Sequence, residues 1–285
     1  MSCVIICALY VEAAPVIRDL NLKQAQLVRG FTCFENEEEQ VILVISGTGK
    51  AAMAGAVASV LQPVTCDHMI FFSSCAGLKN QKAGDLFLVN KVTDLEDGRS
   101  YYPDLLVQSN VSEASLLCGE VPYGIHQKNR DLEEPYDPVN LIRKYPYDLY
   151  DMDTSGGVRM ASKFLGPHQI TILKTVTDHG ALQDRESYEK CMEAGWKKAC
   201  QNVKRIISVK NDENHESVAL QKTAEQFHCS ATMSAQLKQL YGYAKASGQN
   251  MRDILLEMEQ EGLFPCKDRE EGKKALHELT RKLTA

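Results

Sequence analysis

The stretch that decides the fold is Ile170-Thr171-Ile172-Leu173-Lys174-Thr175-Val176-Thr177-Asp178-His179-Gly180. Its first half has the length and the apolar composition of a buried strand. The predicted strand covers residues 169–176, so Asp178 places a carboxylic acid where the strand ends. A carboxylate in such a place is costly unless it is paired or functional, which makes Asp178 the first candidate for a chemical role.

Short apolar runs of the same kind recur upstream and alternate with segments whose apolar residues have helical spacing. The runs cover residues 3–8, 27–34, 41–45, 68–72 and 86–92, and the helical segments include 11–20 and 51–61. This alternation predicts an α/β fold with a mixed central sheet flanked by helices. Ligands of such sheets bind outside the carboxyl ends of the strands, where Asp178 is expected to lie.

The composition is that of a globular protein without a general attraction to nucleic acids or anionic membranes. Of the 285 residues, 44 % are hydrophobic and 25 % are charged, and the net charge is -6, so the expected partner is a small molecule or another protein. No apolar run has the roughly 18 residues of a membrane helix, and no charged region of a signal peptide precedes the first apolar segment. The ten cysteines include no C-x-x-C pair. We therefore expect reduced core thiols and a cytoplasmic location.

The second half of the sequence predicts a change of organisation. Residues 96–147 contain five prolines and many tyrosines, and we interpret them as an irregular excursion over the sheet edge. A short strand at 149–152, a helix at 154–165 and a long closing helix at 187–209 are predicted next. The polar residues 211–216 predict a linker, and all later segments have helical periodicity. The predicted organisation is an α/β domain at 1–210 and an all-helical C-terminal appendage at 217–285.

Two loops rich in small residues follow predicted strands, Ser46-Gly47-Thr48-Gly49-Lys50 and Ser74-Cys75-Ala76-Gly77. The first does not match a Walker phosphate loop, which requires glycine and serine or threonine at the positions of Val44 and Ala51. Small residues let a ligand approach the backbone, and they equally permit a tight turn or close helix packing. Local sequence leaves both interpretations open.

Glu12 and Asp153 resemble Asp178 in that each follows an apolar segment. Each of the three, taken alone, also fits a helix cap or a surface position, and Asp153 directly precedes a predicted helix that it could cap. Because the carboxyl ends of parallel strands meet at one edge of a sheet, their common placement favours a shared site.

Over residues 3–209 the sequence resembles the superfamily of purine nucleoside phosphorylases and methylthioadenosine/S-adenosylhomocysteine nucleosidases. The motifs that carry the resemblance, in the family's order, are Ile6-Cys7-Ala8-Leu9-Tyr10-Val11-Glu12, Ser46-Gly47-Thr48-Gly49-Lys50, Ser74-Cys75-Ala76-Gly77 with Ala83-Gly84-Asp85, Tyr150-Asp151-Met152-Asp153, and Thr175-Val176-Thr177-Asp178-His179. Each motif is short, but five in order at suitable spacings indicate the superfamily. They do not distinguish its members.

The resemblance implies cleavage of the N-glycosidic bond of a purine nucleoside. Asp178 matches the family's general acid, which protonates the departing base at N7, and burial at the end of an apolar strand would favour its protonated form. Met152 and Asp153 match the family's ribose contacts. The sugar and nucleophile side of the pocket would be lined by Ser46, Gly47, Thr48, Gly49, Ser74, Cys75, Ala76 and Gly77.

The nucleophile separates the enzymes of this superfamily. Glu12 matches the glutamate with which the nucleosidases activate water, whereas phosphorylases bind phosphate and typically neutralise it with arginine. Residues 70–73 hold no arginine where the hexameric phosphorylases have one. Hydrolysis is therefore the first prediction, and a phosphorylase that uses inorganic phosphate as co-substrate is the alternative. Arg99 is a candidate anion contact. The alternative is that it belongs to a surface loop without a role in binding.

Two departures from the family pattern leave a third hypothesis open. Asp153 stands where the family usually has glutamate, and Cys75 stands where serine, a stronger hydrogen-bond donor, is commoner. A sensor or regulator that binds a nucleoside without cleaving it would explain both, whereas Glu12 and Asp178 favour catalysis. The candidates for stacking on the purine base are Tyr101, Tyr102, Tyr136 and Tyr147.

The helical tail lies outside the resemblance. Residues 223–230 and 233–241 have a weak helix-turn-helix rhythm, the pattern of a DNA-binding regulator. Residues 217–285 hold ten Lys and Arg against nine Asp and Glu and show no basic stripe, so we expect no nucleic-acid partner. The plainer expectation is a helical bundle that packs on the core, covers the pocket or mediates assembly. The resemblance further implies a homo-oligomer, and no metal or organic cofactor is predicted.

Overall fold

The computed structural model describes residues 2–104, 110–122, 146–180 and 184–284. The chain divides into two compact units, Met1–Asn211 and Asp212–Ala285. Ten strands of the first unit belong to one sheet: β1 (Ser2–Cys7), β2 (Lys23–Ala25), β3 (Thr32–Asn36), β4 (Val41–Ile45), β5 (Cys66–Gly77), β6 (Leu86–Asp94), β7 (Ser100–Tyr101), β8 (Ser112–Cys118), β9 (Leu149–Asp151) and β10 (Ile170–Asp178).

The sheet is organised around β5, which pairs with three other strands. Strands β1 and β10 run parallel to β5, and β9 runs antiparallel to its last residues, Ala76 and Gly77. From β10 the pairing continues through β6, β8 and β9 and returns to β5, so these five strands form a closed ring. From β5 the sheet also continues through four strands that are not part of the ring, in the order β1, β4, β3 and β2.

Helices cover both faces of this sheet. They are α1 (Tyr10–Asp19), α2 (Lys50–Val60), α3 (Thr154–Ala161) and α4 (Arg185–Gln226). Alternate residues of β1 point to opposite faces, so Val4 packs with side chains of α2 and α3, and Ile5 packs with side chains of α1 and α4. Burial on both faces explains why the strands read as continuous apolar runs. The predicted mixed α/β sheet flanked by helices is confirmed.

The predicted irregular excursion at 96–147 is wrong in one part. Residues Ser112–Cys118 form β8, which lies between β6 and β9 in the closed ring. This strand starts with two exposed polar residues and ends with three buried ones, so it shows neither a long apolar run nor a period of two. The sequence pattern therefore contained no strand signal there. The rest of the excursion falls partly on residues 105–109 and 123–145, outside the described ranges.

The predicted linker at 211–216 is also wrong, because α4 runs through it as one helix from Arg185 to Gln226. The stretch is polar but contains neither proline nor glycine, the two residues that most often end a helix. Polar composition alone therefore did not exclude a helix. The two compact units meet in sequence within this helix.

The second unit is helical, as predicted, and has a hydrophobic core of its own. It contains the end of α4 together with α5 (Ala231–Ala246), α6 (Met251–Gln260) and α7 (Arg269–Thr284). Its core includes Phe227, Leu237, Met258, Leu276 and Leu279. None of the helices in the described part of the chain has both the length and the apolar character needed to cross a membrane. A role of this unit in covering the pocket or in assembly stays a prediction.

Helices α2 and α3 approach each other closely at Gly156. A Cβ atom added there would lie 2.2 Å from the carbonyl oxygen of Lys50, a backbone atom that cannot move aside easily. We expect Gly156→Ala to lower the free energy of unfolding by about 1–3 kcal/mol, the usual cost of overpacking. Urea denaturation followed by circular dichroism measures this change.

Gly55→Ala, in α2 of the same helix pair, is the matched control. The nearest atom to its added Cβ would be Cζ of Phe31 at 3.6 Å, an ordinary contact. Alanine also has the higher helix propensity, so we expect this variant to be neutral or more stable than the original chain. Equal destabilisation by both substitutions would contradict the close approach at Gly156.

Candidate active site

A pocket lies where the strands of the first unit end. Its walls come from the segments that follow β1 and β4, from the ends of β5, β9 and β10, and from the first turn of α4. Predicted site residues that line it are Glu12, Thr48, Ser74, Cys75, Ala76, Met152, Asp153 and Asp178. The structure thus brings together the three acids that the sequence suggested.

Four other predicted site residues do not line the pocket but shape the backbone next to it: Ser46, Gly47, Gly49 and Gly77. The main-chain N–H groups of Ser46 and Gly47 donate to the carbonyl oxygens of Cys7 and Ala8, which ties this loop to the end of β1. Gly49 has a φ of 94° directly before α2, a conformation that favours glycine. The carbonyl of Gly77 lies 2.7 Å from Nδ1 of His179.

The candidate anion contact, Arg99, lies outside this group of residues. Arg99 is on the turn between β6 and β7, where its side chain is 63 % exposed and lies 3.6 Å from Asp97. Lys50 pairs with Asp94 at 2.8 Å and also with Glu96. Their charges are engaged by neighbouring acids, so the prediction of Arg99 as an anion contact has no support from its position.

None of the tyrosines considered for base stacking lines the pocket in the described residues. Tyr101 packs against the core, Tyr102 is exposed, and Tyr147 lies in a small apolar cluster with Tyr150. Tyr136 lies outside the described residues. Tyr150 lines the pocket instead.

Glu12 is buried, and in the described part of the chain its carboxylate accepts four hydrogen bonds. Oε2 accepts from the N–H groups of Ala8 and Leu9, both at 2.9 Å. Oε1 accepts from the N–H of Ser74 at 2.8 Å and from the hydroxyl of Tyr188 at 2.8 Å. Glu12 belongs to the first turn of α1, so the turn after β1 supplies donors to a residue only three or four positions later.

Both carboxyl oxygens of Asp178, the last residue of β10, have hydrogen-bond partners. Its Oδ1 accepts from the N–H of Gly180 at 2.8 Å, and its Oδ2 lies 2.9 Å from the hydroxyl of Thr177. The same hydroxyl lies 3.3 Å from the carbonyl oxygen of Cys75, which can only accept. When Thr177 donates to that carbonyl, its oxygen is left to accept a hydrogen bond from protonated Asp178.

A buried cation lies beneath the predicted ribose contact. The side chain of Lys174 is 0 % exposed, and its Nζ lies 2.7 Å from Asp151 and 3.6 Å from Asp153. The ammonium also contacts the hydroxyl of Ser73 and the carbonyl oxygen of Ser74. The two acids raise the pKa of Lys174 against the opposing effect of burial, so the lysine keeps its charge.

The two aspartates respond to this cation in opposite ways. Burial opposes ionisation of Asp151, but the charge of Lys174 and several hydrogen bonds hold the pKa of Asp151 below its usual range. Burial, and then the negative charges of Asp151 and Glu12, raise the pKa of Asp153 well above its usual range although Lys174 opposes this. Of the two acids, Asp153 is therefore the one that holds a proton more readily.

The predicted capping role of Asp153 is not what the structure shows. Asp153 stands at the N-cap position of α3, but its side chain accepts no capping hydrogen bond. The N–H of Thr154 donates to Oδ2 of Asp151 at 3.2 Å. Asp151 thus caps the helix, whereas Asp153 lines the pocket.

Cys75 is a neutral thiol in the pocket wall. Burial raises the pKa of Cys75, and its Sγ donates to the carbonyl oxygen of Thr175 at 3.5 Å. The thiol therefore interacts with the neighbouring strand β10, the strand that ends at Asp178.

Three functional residues were missed by reasoning from the sequence. Lys174 had a readable signal, because a lysine inside an apolar strand must find a buried partner. Asp151 belongs to the motif Tyr150-Asp151-Met152-Asp153, but nothing in that motif marks its contact with Lys174. Tyr188 had no local signal, since a tyrosine in the first turn of a helix has nothing in its sequence context to mark a contact with Glu12.

Substitution of Lys174 tests how much the buried cation contributes to stability. We expect Lys174→Met to lower the free energy of unfolding by about 3–5 kcal/mol, because it leaves Asp151 without its partner in a buried setting. Urea denaturation gives the value. Lys79→Met is the control, since Lys79 pairs with Asp148 at an exposed position and its loss should cost less than about 1 kcal/mol. Equal losses would show that Lys174 is not what stabilises Asp151.

The raised pKa of Asp153 predicts a pH dependence of stability. Because the pKa of Asp153 is raised in the folded chain, its contribution to stability is complete below the unfolded-state pKa of about 4 and is lost as pH rises through the folded pKa. Asparagine does not titrate. We therefore expect Asp153→Asn to gain stability relative to the original chain as pH rises above about 4. A stability difference that stays constant over that range in urea titrations would contradict the raised pKa of Asp153.

Solved structures resemble this chain, whereas no family model and no curated protein sequence matches it. The 5'-methylthioadenosine/S-adenosylhomocysteine nucleosidase from Neisseria meningitidis, in complex with methylthio-immucillin-A, aligns with a TM-score of 0.57 and 18 % identity over 72 % of this chain and 98 % of that chain. The nucleosidase of the same description from Colwellia psychrerythraea, in complex with adenine, has a TM-score of 0.57 and 17 % identity over 73 % and 95 % of the two chains.

A futalosine hydrolase from Helicobacter pylori is similar to the same degree, with a TM-score of 0.56 and 13 % identity over 72 % of this chain and 97 % of that chain. Identities this low establish the fold and leave the activity to be argued from the site. The chain has the nucleoside phosphorylase-type fold of these nucleosidases, which the five sequence motifs predicted.

Proposed function

We propose that the chain hydrolyses the N-glycosidic bond of a purine nucleoside. The observation that carries the proposal is that one pocket is lined both by a carboxylate held by hydrogen-bond donors, Glu12, and by a second acid, Asp178, that contacts the hydroxyl of Thr177. N-glycosidic hydrolysis needs these two functions, a base for water and an acid for the leaving group.

The proposed reaction moves two protons. Glu12 takes a proton from water as the water oxygen attacks C1′ of the sugar. The bond between C1′ and the base breaks, and its electron pair goes to the purine, which takes a proton from Asp178 at N7. The products are a free base and a free sugar with a hydroxyl group at C1. A proton then returns from Glu12 to Asp178 through solvent, and no cofactor enters this scheme.

Asp153 and Met152 are proposed to contact the sugar. They lie on the same pocket wall, directly before α3. Burial raises the pKa of Asp153, and in its protonated form the carboxyl can donate a hydrogen bond to a sugar oxygen as well as accept one. A glutamate that is fully ionised would only accept.

Hydrolysis is favoured over phosphorolysis by the charges around the pocket. Among the described residues, no lysine or arginine lines it. Lys174, the buried cation beneath it, is already paired with Asp151. Phosphate is commonly bound by arginine or lysine, and a carboxylate such as Glu12 repels it. A nucleoside sensor remains the third hypothesis, since it needs the pocket but neither proton transfer.

Incubation of the purified chain with a panel of purine nucleosides, with and without inorganic phosphate, tests the proposal. We expect release of the free base without phosphate and at a rate that phosphate does not raise, measured by chromatography of the products. Release that requires phosphate would assign the phosphorylase. Binding without release, measured by calorimetry, would assign the sensor.

Substitutions in the same assay test the roles of the two acids. Asp178→Asn and Glu12→Gln should each lower kcat by about 10²–10⁴-fold, the usual contribution of a general acid or base. Asp19→Asn is the control because Asp19 lies at the exposed end of α1 and pairs with Lys204. Full activity of Asp178→Asn would overturn the assigned acid, and full activity of Glu12→Gln would overturn the assigned base.

A further inference from the structure

The hydrogen bonds of Glu12 leave no place for water. A carboxylate has about four positions at which it accepts a hydrogen bond, two on each oxygen. All four are filled, two on Oε2 by the N–H groups of Ala8 and Leu9 and two on Oε1 by the N–H of Ser74 and the hydroxyl of Tyr188. A water molecule that Glu12 is to activate must replace one of these donors.

The directions of the hydrogen bonds around Tyr188 follow from the fact that its hydroxyl has only one proton to donate. Its hydroxyl lies 2.8 Å from Oε1 of Glu12 and 2.7 Å from Oγ of Ser74. The phenol has one proton, which goes to the carboxylate, so the hydroxyl of Ser74 donates to the phenol oxygen. Burial, followed by the charge of Glu12, raises the pKa of Tyr188, so the phenol keeps its proton in this arrangement.

Three of the four donors to Glu12 cannot leave without unfolding local structure. The N–H groups of Ala8 and Leu9 belong to the turn between β1 and α1, and the N–H of Ser74 belongs to β5, the strand at the centre of the sheet. Tyr188 is the one donor that is carried by a rotatable side chain. Its side chain also lines the pocket and is half-buried, so it borders the space that a substrate would enter.

We propose that the Tyr188 hydroxyl occupies the position on Glu12 that the attacking water must take, and that its displacement is a step of the reaction. This inference rests on the proposed hydrolysis. Tyr188 acts through Glu12 as a positioning residue, forms no bond to the sugar and keeps its proton. Water enters when the hydroxyl swings away, and it then accepts the hydrogen bond of Ser74 while donating to Glu12.

Tyr188→Phe tests this inference because it removes the hydroxyl and keeps the ring that borders the pocket. We expect kcat for base release to rise about tenfold, since one hydrogen bond no longer has to be broken before the transition state, and KM to change by less than about twofold. Steady-state kinetics on the best nucleoside of the panel gives both values. Thermal unfolding of the variant verifies that it is folded.

Two comparisons separate this effect from a general loosening of the site. Ser74→Ala removes the neighbouring hydroxyl but leaves the bond between Tyr188 and Glu12, so it should not accelerate release. In the Glu12→Gln background, Tyr188→Phe should have no effect on the residual rate. An acceleration that persists with Gln at position 12 would show that Tyr188 does not act through Glu12 and would overturn the inference.

The outcomes distinguish this inference from the proposed function. If the original chain releases base and Tyr188→Phe is equally fast or slower, the inference is wrong and the hydrolytic function stands. If neither the original chain nor Tyr188→Phe releases base from any nucleoside, both are wrong. Release by Tyr188→Phe alone would support both, because it would identify the hydroxyl as the group that blocks water.

Discussion

The candidate site depends on the buried ion pair of Lys174 and Asp151. Lys174 belongs to β10, Asp151 ends β9, and the ammonium also contacts the carbonyl oxygen of Ser74 in β5, so one charge connects three strands of the closed ring. Burying the ammonium or the carboxylate alone would cost several kcal/mol, and each is tolerated because the other is in place. The pair sets the start of α3, since Asp151 accepts the hydrogen bond of Thr154, and thereby places Asp153 on the pocket wall.

Four acids share this small region and differ because their surroundings differ. The charge of Lys174 lowers the pKa of Asp151 against the effect of burial, whereas burial and the charge of Asp151 raise the pKa of Asp153. Glu12 is surrounded by donors from the backbone and from Tyr188. Asp178 meets a hydroxyl that can either donate or accept. A site built in this way can hold an acid and a base together, which is the requirement for cleaving a glycosidic bond.

Much of the fold was predictable because buried strands and helices have a characteristic spacing of apolar residues in the sequence. The strands β1, β4, β5, β6 and β10 are largely buried and each contains a short apolar run, and α5, α6 and α7 appeared through their helical spacing. Strand β8 was missed because its exposed start and buried end leave no period, and the polar middle of α4 was mistaken for a linker. In both places the local composition was compatible with more than one structure.

By itself the sequence determined where strands end and which acids stand there, so Glu12, Asp153 and Asp178 could be named in advance. Only the tertiary structure decided which groups those acids meet. Tyr188 lies 176 positions from Glu12 along the chain, and Lys174 reaches Asp151 because the ring closes β10 and β9 onto β5. The physical reason is that periodicity reports whether a side chain is buried, whereas its partner is set by which strands and helices become neighbours.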